Sequence, residues 1–205
     1  MNMNKVITIG RQFGSGGCEI GKRLAEKLGI EFYDKNIIEI AAEKSGINKK
    51  MFEEADEKHN SFLYSLSMAH YGGLASPVYL NDVITHDKLF LIQSNIIKEL
   101  AEKPCVIVGR CADDILKDYC KTLDVFVHAD MDFRIDRISK LYELSKSSAE
   151  TLIKKTDKGR KNYYDFYAHA TWGSSASYDM SISSSVFGLD GCVDIIADCA
   201  DRFFK

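Results

Sequence analysis

The chain has 205 residues, the length of one domain with an inserted lid. Its 27 basic and 30 acidic residues leave a formal net charge of -3, which argues against a nucleic-acid polymer as partner, because such binders carry a basic excess. Hydrophobic residues make up 45% and prolines number two, so a disordered chain is excluded.

No run approaches the roughly 18 apolar residues of a membrane span, and the first residues hold no apolar stretch of signal-peptide length. Cys18, Cys105, Cys111, Cys120, Cys192 and Cys199 form no C-x-x-C pair. They read as reduced thiols of a cytoplasmic protein.

Lys5–Gly10 is a β-branched run that predicts a strand, followed by a glycine-rich loop, Gly10–Gly17. Ile20, Leu24 and Leu28 recur on one face of a helix over Glu19–Leu28, which Gly29 ends. Ile30–Tyr33 reads as a second strand, and Asp34 stands where a helix N-cap would. Gly46–Gly73 is polar and helical in pattern, and Asp82–Leu100 a long helix stopped by Pro104. Cys105–Val108 is wholly apolar, as in a strand buried on both faces. Leu123–Val127 predicts a fourth strand, and Asp130–Lys155 a charged helix running on towards the aromatic stretch Tyr163–Trp172. Tyr178–Ile182 predicts a fifth strand and Asp190–Phe204 a closing helix. Strands alternating with helices imply an α/β fold with a parallel sheet covered on both sides. Ligands bind at the strand C-termini in such folds, and a helical segment over Lys140–Trp172 is placed to form a lid there.

The junction Gly10–Gly21 (GRQFGSGGCEIG) lies between a strand and a helix. Gly10, Gly14, Gly16 and Gly17 let the backbone come close to a ligand. The loop amides would then face the positive end of the helix dipole, an anion site built from Gly14, Ser15, Gly16, Gly17, Cys18 and Glu19. A G-x-x-x-x-G-K-[ST] loop needs a lysine after its last glycine, and here Gly17 holds that position. Arg11 at the strand exit is the nearest replacement cation. Lys22 and Arg23, one turn into the helix, are expected to point to solvent.

Over nearly its whole length the chain resembles the cytidylate kinase-like family of P-loop nucleoside monophosphate kinases. The resemblance rests on Ile7–Gly17 (ITIGRQFGSGG), Phe32–Lys35 (FYDK), Leu89–Gln93 (LFLIQ), Cys105–Asp113 (CVIVGRCAD), Lys154–Tyr164 (KKTDKGRKNYY) and the WG…YD of Trp172–Asp179. It implies one three-layer P-loop kinase domain over 1–205, with sheet order 2-3-1-4-5. A helical insert that binds the nucleoside monophosphate would cover about 34–80, and a helical lid about 140–172. It further implies ATP with Mg²⁺, and CMP or dCMP as the acceptor. Two departures stand out. Gly17 replaces the loop lysine, and Gly109-Arg110-Cys111 replaces G-R-D. A different small acceptor, or a regulatory nucleotide-binding module with little catalysis, are therefore the alternatives.

Arg110 follows an apolar strand and suits bidentate phosphate recognition. By resemblance it holds the acceptor; otherwise it pairs with Asp113 or Asp114. Asp113 is an acceptor contact or a helix-face carboxylate. Asp34 orients the acceptor or binds Mg²⁺ through water, or is an N-cap. Gln93 is a base-reading or a structural amide. In the lid, Lys155, Asp157 and Arg160 lie in a cationic cluster, and lids commonly deliver arginines to a transferring phosphoryl group. Arg160 is the first choice, unless it forms an i, i+3 ion pair with Asp157. Arg134 and Arg137 are the second. Tyr163, Tyr164, Tyr167 and Trp172 read as lid packing. The apolar and aromatic residues of 52–79 leave room for a homodimer contact.

Overall fold

Strand β1 (Val6–Arg11) is built from χ1-stiff Val6, Ile7, Thr8 and Ile9, all buried, which suits the centre of a sheet. The computed structural model describes residues 5–34, 36–45 and 86–205. The other strands are β2 (Glu31–Tyr33), β3 (Cys105–Val108), β4 (Thr122–His128) and β5 (Met180–Ser183). All pair in parallel, in the order β2-β3-β1-β4-β5, the order implied by the resemblance. Val6 stands level with Cys105 on one side and Thr122 on the other. Both flanks of β1 are thus filled, and its C-terminal end opens at the junction of neighbouring strands, where doubly wound sheets hold ligands.

Helix α1 (Gly17–Leu28) buries Ile20, Leu24 and Ala25. They share one core with Ile7, Ile9, Val125 and the Val193, Ile196 and Ala200 stripe of the last helix, α7 (Ser184–Phe203). Between them lie α2 (Asn36–Ser45), α3 (His86–Leu100) and the short α4 (Ala112–Leu116). Helices α5 (Met131–Tyr142) and α6 (Lys146–Tyr167) follow β4.

Several boundaries differ from the sequence reading by a residue or two, and two differ by more. The helix expected over Asp130–Lys155 is a hairpin, broken at Glu143 in the left-handed region (φ +54°). Ser145 then caps α6, accepting from the Ser148 N–H at 3.2 Å. Residues 143–145 hold neither Gly nor Pro, so nothing in composition marks this stop. The hairpin has its own small core of Ile138, Ala149 and Ile153, with Phe13 packed against it. Helix α7 starts at Ser184 rather than Asp190, and runs across a break at Gly188 (φ +68°). The fifth strand begins at Met180 rather than Tyr178.

The chain divides into two compact units, Met1–Asp34 with Ile97–Lys205, and Lys35–Ile96. The first holds the sheet, the glycine loop and the hairpin. In the second, Ile37, Ile38, Ala41, Leu89 and Ile96 are buried. The helical pattern over Gly46–Gly73 and the aromatic stretch 52–79 lie outside the described residues. Among the described residues no helix is long and apolar enough to cross a membrane.

Candidate functional site

The loop from β1 to α1 is held from several sides. Gln12 donates its N–H to the Val127 carbonyl at 3.0 Å, and its Oε1 accepts from the Ala129 N–H at 3.1 Å. Ser15 is buried and its hydroxyl bonds the Gln12 carbonyl at 2.9 Å. Ser184, at the start of α7, donates to the Ser15 carbonyl at 2.6 Å. Gly16 caps α1 in the left-handed conformation (φ +79°), so the first N–H groups of the helix emerge at the end of the loop. A loop so fixed, at the positive end of a twelve-residue helix, has the backbone form of an anion site.

The hairpin grips this loop at Phe13. Asp157 accepts the Phe13 N–H at 2.7 Å through one oxygen and Arg134 Nη1 at 2.5 Å through the other. Arg134 also donates to the Phe13 carbonyl at 3.3 Å, and is itself buried. Arg134 and Asp157 therefore clamp the backbone of one loop residue. Asp157 is not paired with Arg160, as the i, i+3 alternative supposed.

Arg160 instead donates to the Arg11 carbonyl at 3.1 Å and lies 5.4 Å from the Phe13 ring centroid. Burial, and then the charge of Arg11, push its guanidinium down to a pKa of about 9. Arg11 lies 3.6 Å from Asp34 Oδ1. The Cys18 thiol donates to Asp34 Oδ2 at 3.0 Å. Arg11, Asp34, Cys18 and Arg160 thus meet beside the loop.

Glu19 is engaged elsewhere. It bonds Arg137 of α5 and Arg23 of its own helix, and Arg23 reaches on to Asp190. Burial raises the Glu19 pKa, but the two guanidiniums outweigh it and hold the carboxyl below its ordinary value. Arg23 faces solvent, as the sequence suggested, and there it joins a surface ion-pair network. Lys22 and Lys155 are exposed.

At the end of β3, Gly109, Arg110 and Cys111 take left-handed φ values of +76°, +63° and +54° in succession. For a non-glycine residue this conformation costs on the order of 1–2 kcal/mol, and such strain gathers at functional sites. Gly109 donates its N–H to the Ile9 carbonyl at 3.0 Å, which sets the turn against the end of β1. The Arg11 guanidinium lies against this turn, at Gly109. Asp113 and Asp114, offered as ion-pair alternatives for Arg110, have other partners. Tyr164 of α6 donates its hydroxyl to Asp113 Oδ2, and the His169 N–H donates to Asp114 Oδ1 at 3.0 Å. Tyr164 is thus more than lid packing. Gln93 is buried on α3 in the second unit.

Burial pushes the Asp113 carboxyl up to about 6, with the Tyr164 bond opposing it. A raised folded-state value means that the folded chain binds the proton more tightly than the unfolded one. The stabilisation is complete below about pH 4 and is lost as pH rises to about 6. Asp113→Asn is expected to match wild type near pH 4 and to exceed it near pH 7, by at most about 3 kcal/mol. Urea unfolding at both pH values checks this, and a difference independent of pH would rule it out.

The sequence profile of the cytidylate kinase-like family matches residues 6–186. A solved structure of an uncharacterised protein from Eubacterium ventriosum is similar over 97% of this chain and 99% of its own, at 28% identity and a TM-score of 0.69. A shikimate kinase structure from Bacteroides thetaiotaomicron covers 96% of this chain and 98% of its own, at 13% identity and a TM-score of 0.53, which is a likeness of fold. No curated protein matches the sequence. With the profile spanning β1 to the start of α7 and the sheet in the order expected, the chain belongs to the cytidylate kinase-like family.

Proposed function

We propose that this chain is a phosphotransferase that moves the γ-phosphoryl group of Mg-ATP to a small acceptor, with CMP or dCMP the acceptor to test first. The observation that carries this is the meeting of Arg11 and Arg160 at a loop already shaped for phosphate. Phosphoryl transfer spreads negative charge over the transferring group, and the protein's task is to position and neutralise it. The loop amides take the donor phosphates. Arg160, on the hairpin, reaches the transferring group. Arg110 holds the acceptor phosphate, and Asp34 orients the acceptor.

Mg²⁺ enters bound to ATP and neutralises the phosphate oxygens. A carboxylate is the hard donor it needs, through water, and Asp34 fits. Asp34 is itself held, by Arg11 at 3.6 Å and by the Cys18 thiol, but Glu19 is the poorer fit, because two guanidiniums at hydrogen-bond distance claim its oxygens. A cytoplasmic location agrees with six free thiols.

Gly17 favours a second reading, a nucleotide-binding module with little catalysis. The test is a coupled ADP-release assay with Mg-ATP and CMP, dCMP, UMP, AMP, GMP and a non-nucleotide alcohol acid, each beside an Arg110→Ala control. Turnover on CMP or dCMP that disappears in the control supports the first reading. Mg-ATP binding without turnover on any acceptor supports the second. Absence of Mg-ATP binding rejects both.

A further inference from the structure

Resting on the phosphotransferase reading, we propose that Arg11 carries the phosphate-facing charge that a standard loop places at position 17, and that Gly17 and Gly109 are the two positions that admit its side chain. A Cβ at position 17 would lie 2.6 Å from Arg11 Cβ and 3.1 Å from Arg11 Cγ. Carbon atoms do not approach so closely, since dispersion contacts are optimal near 3.5–4.0 Å. Every residue but glycine begins with that Cβ. A side chain at 17 and one at 11 therefore exclude each other, a lysine at 17 included. The bare backbone at Gly17 is the condition for Arg11 to turn into the site.

The far end of the side chain meets the second clearance. A Cβ at position 109 would lie 2.0 Å from Arg11 Nη1 and 2.9 Å from Cζ. The guanidinium thus rests against bare backbone at the start of the strained Gly109–Cys111 turn. Asp34 holds it from one side and Arg160 bonds its main-chain carbonyl. The stem passes Gly17, the first residue of α1, and the Asp34 carboxylate that holds the guanidinium also accepts the thiol of Cys18, the second residue of α1, which sets the charge beside the start of the helix. A planar guanidinium also suits two phosphate oxygens at once, which an ammonium does not.

A merely structural arginine, kept for its bond to Asp34, predicts something different, and a charge swap separates the two. Mg-ATP and tripolyphosphate would be titrated calorimetrically into wild type, Arg11→Met, Gly17→Lys and the double variant Arg11→Gly/Gly17→Lys, with thermal unfolding of each. Arg11→Met keeps the stem and removes the charge. It is expected to bind both ligands at least about tenfold more weakly, as for the loss of a charged hydrogen bond. Gly17→Lys alone is also expected to bind weakly, because the introduced side chain and Arg11 compete for one space. The double variant is expected to return to within about threefold of wild type, a coupling that independent sites would not show.

Arg11→Met within twofold of wild type overturns the proposal, as does a folded double variant no better than Arg11→Met. A double variant that does not fold leaves the decision to Arg11→Met. Wild type that binds tripolyphosphate but not Mg-ATP rejects the phosphotransferase reading, and the same variants then decide the role of Arg11 on tripolyphosphate. Wild type that binds neither overturns both.

Discussion

Arg160→Ala is expected to lower kcat by about 10³-fold, the lower range for an arginine that meets a transferring phosphoryl group. Among the described residues Arg160 pairs with no carboxylate. Its hydrogen bond goes to the Arg11 carbonyl, and the Phe13 ring lies beside it. It is a half-buried cation next to a second one: burial and Arg11 disfavour its charge, and the carboxylates of Asp157 and Asp34 only partly offset them. Under the proposed phosphotransferase reading, an anion entering the site relieves that repulsion and charge developing in the transition state meets a partner already in place. Arg160→Lys restores the charge without the planar fork, and is expected to recover part of the loss. Steady-state kinetics on the best acceptor check this. An unchanged kcat in Arg160→Ala, with the thermal midpoint intact, would remove Arg160 from the mechanism.

Asp157→Ala is expected to destabilise the fold by about 3–5 kcal/mol, the usual loss when one member of a buried ion pair is removed. For a chain of this size that lowers the thermal midpoint by about 10 °C. Two groups lose their acceptor at once, the Phe13 N–H and the Arg134 guanidinium. Arg134 is only 5% exposed, so water does not replace the carboxylate. Asp157→Asn keeps an oxygen for Phe13 and is expected to fall between wild type and Ala. Combining Asp157→Asn with Arg134→Met removes both charges, and is expected to cost less than Asp157→Ala alone. Differential scanning calorimetry measures each midpoint. A midpoint for Asp157→Ala within 2 °C of wild type would mean that the clamp at Phe13 does not hold the hairpin to the loop.

The strands were legible because their signals are local. Val6–Ile9 is an unbroken β-branched run, and Cys105–Val108 is continuously apolar, as in a strand covered on both faces. The α1 stripe was legible for the same reason, since Ile20 and Leu24 lie one turn apart. The glycine loop declared itself by position, between a strand and a helix. Arg11 was legible as a candidate because it occupies the strand exit next to a loop without its lysine. The stop at Glu143 was not. It depends on the hairpin closing over Ile138, Ala149 and Ile153, contacts between two helices that neither carries alone. The early start of α7 was missed because Ser183–Ser185 reads as loop composition, whereas Ser184 is buried there against the Ser15 carbonyl.

The pairing of charges divides most clearly between the two levels. The sequence alone determined the parallel α/β class, the phosphate-loop position and the set of arginines and carboxylates from which a site is built. It placed Asp157 and Arg160 three apart on one helix, and their spacing allowed an ion pair. Tertiary structure broke that pairing. Asp157 turned to Arg134 and to the Phe13 backbone, and Arg160 to the carbonyl of Arg11, 149 residues away. An exposed pair on a helix surface is worth a few tenths of a kcal/mol. A buried arginine or an unpaired N–H must find an acceptor or lose several times that. Burial therefore outranked spacing, and burial exists only once the hairpin has folded over the loop.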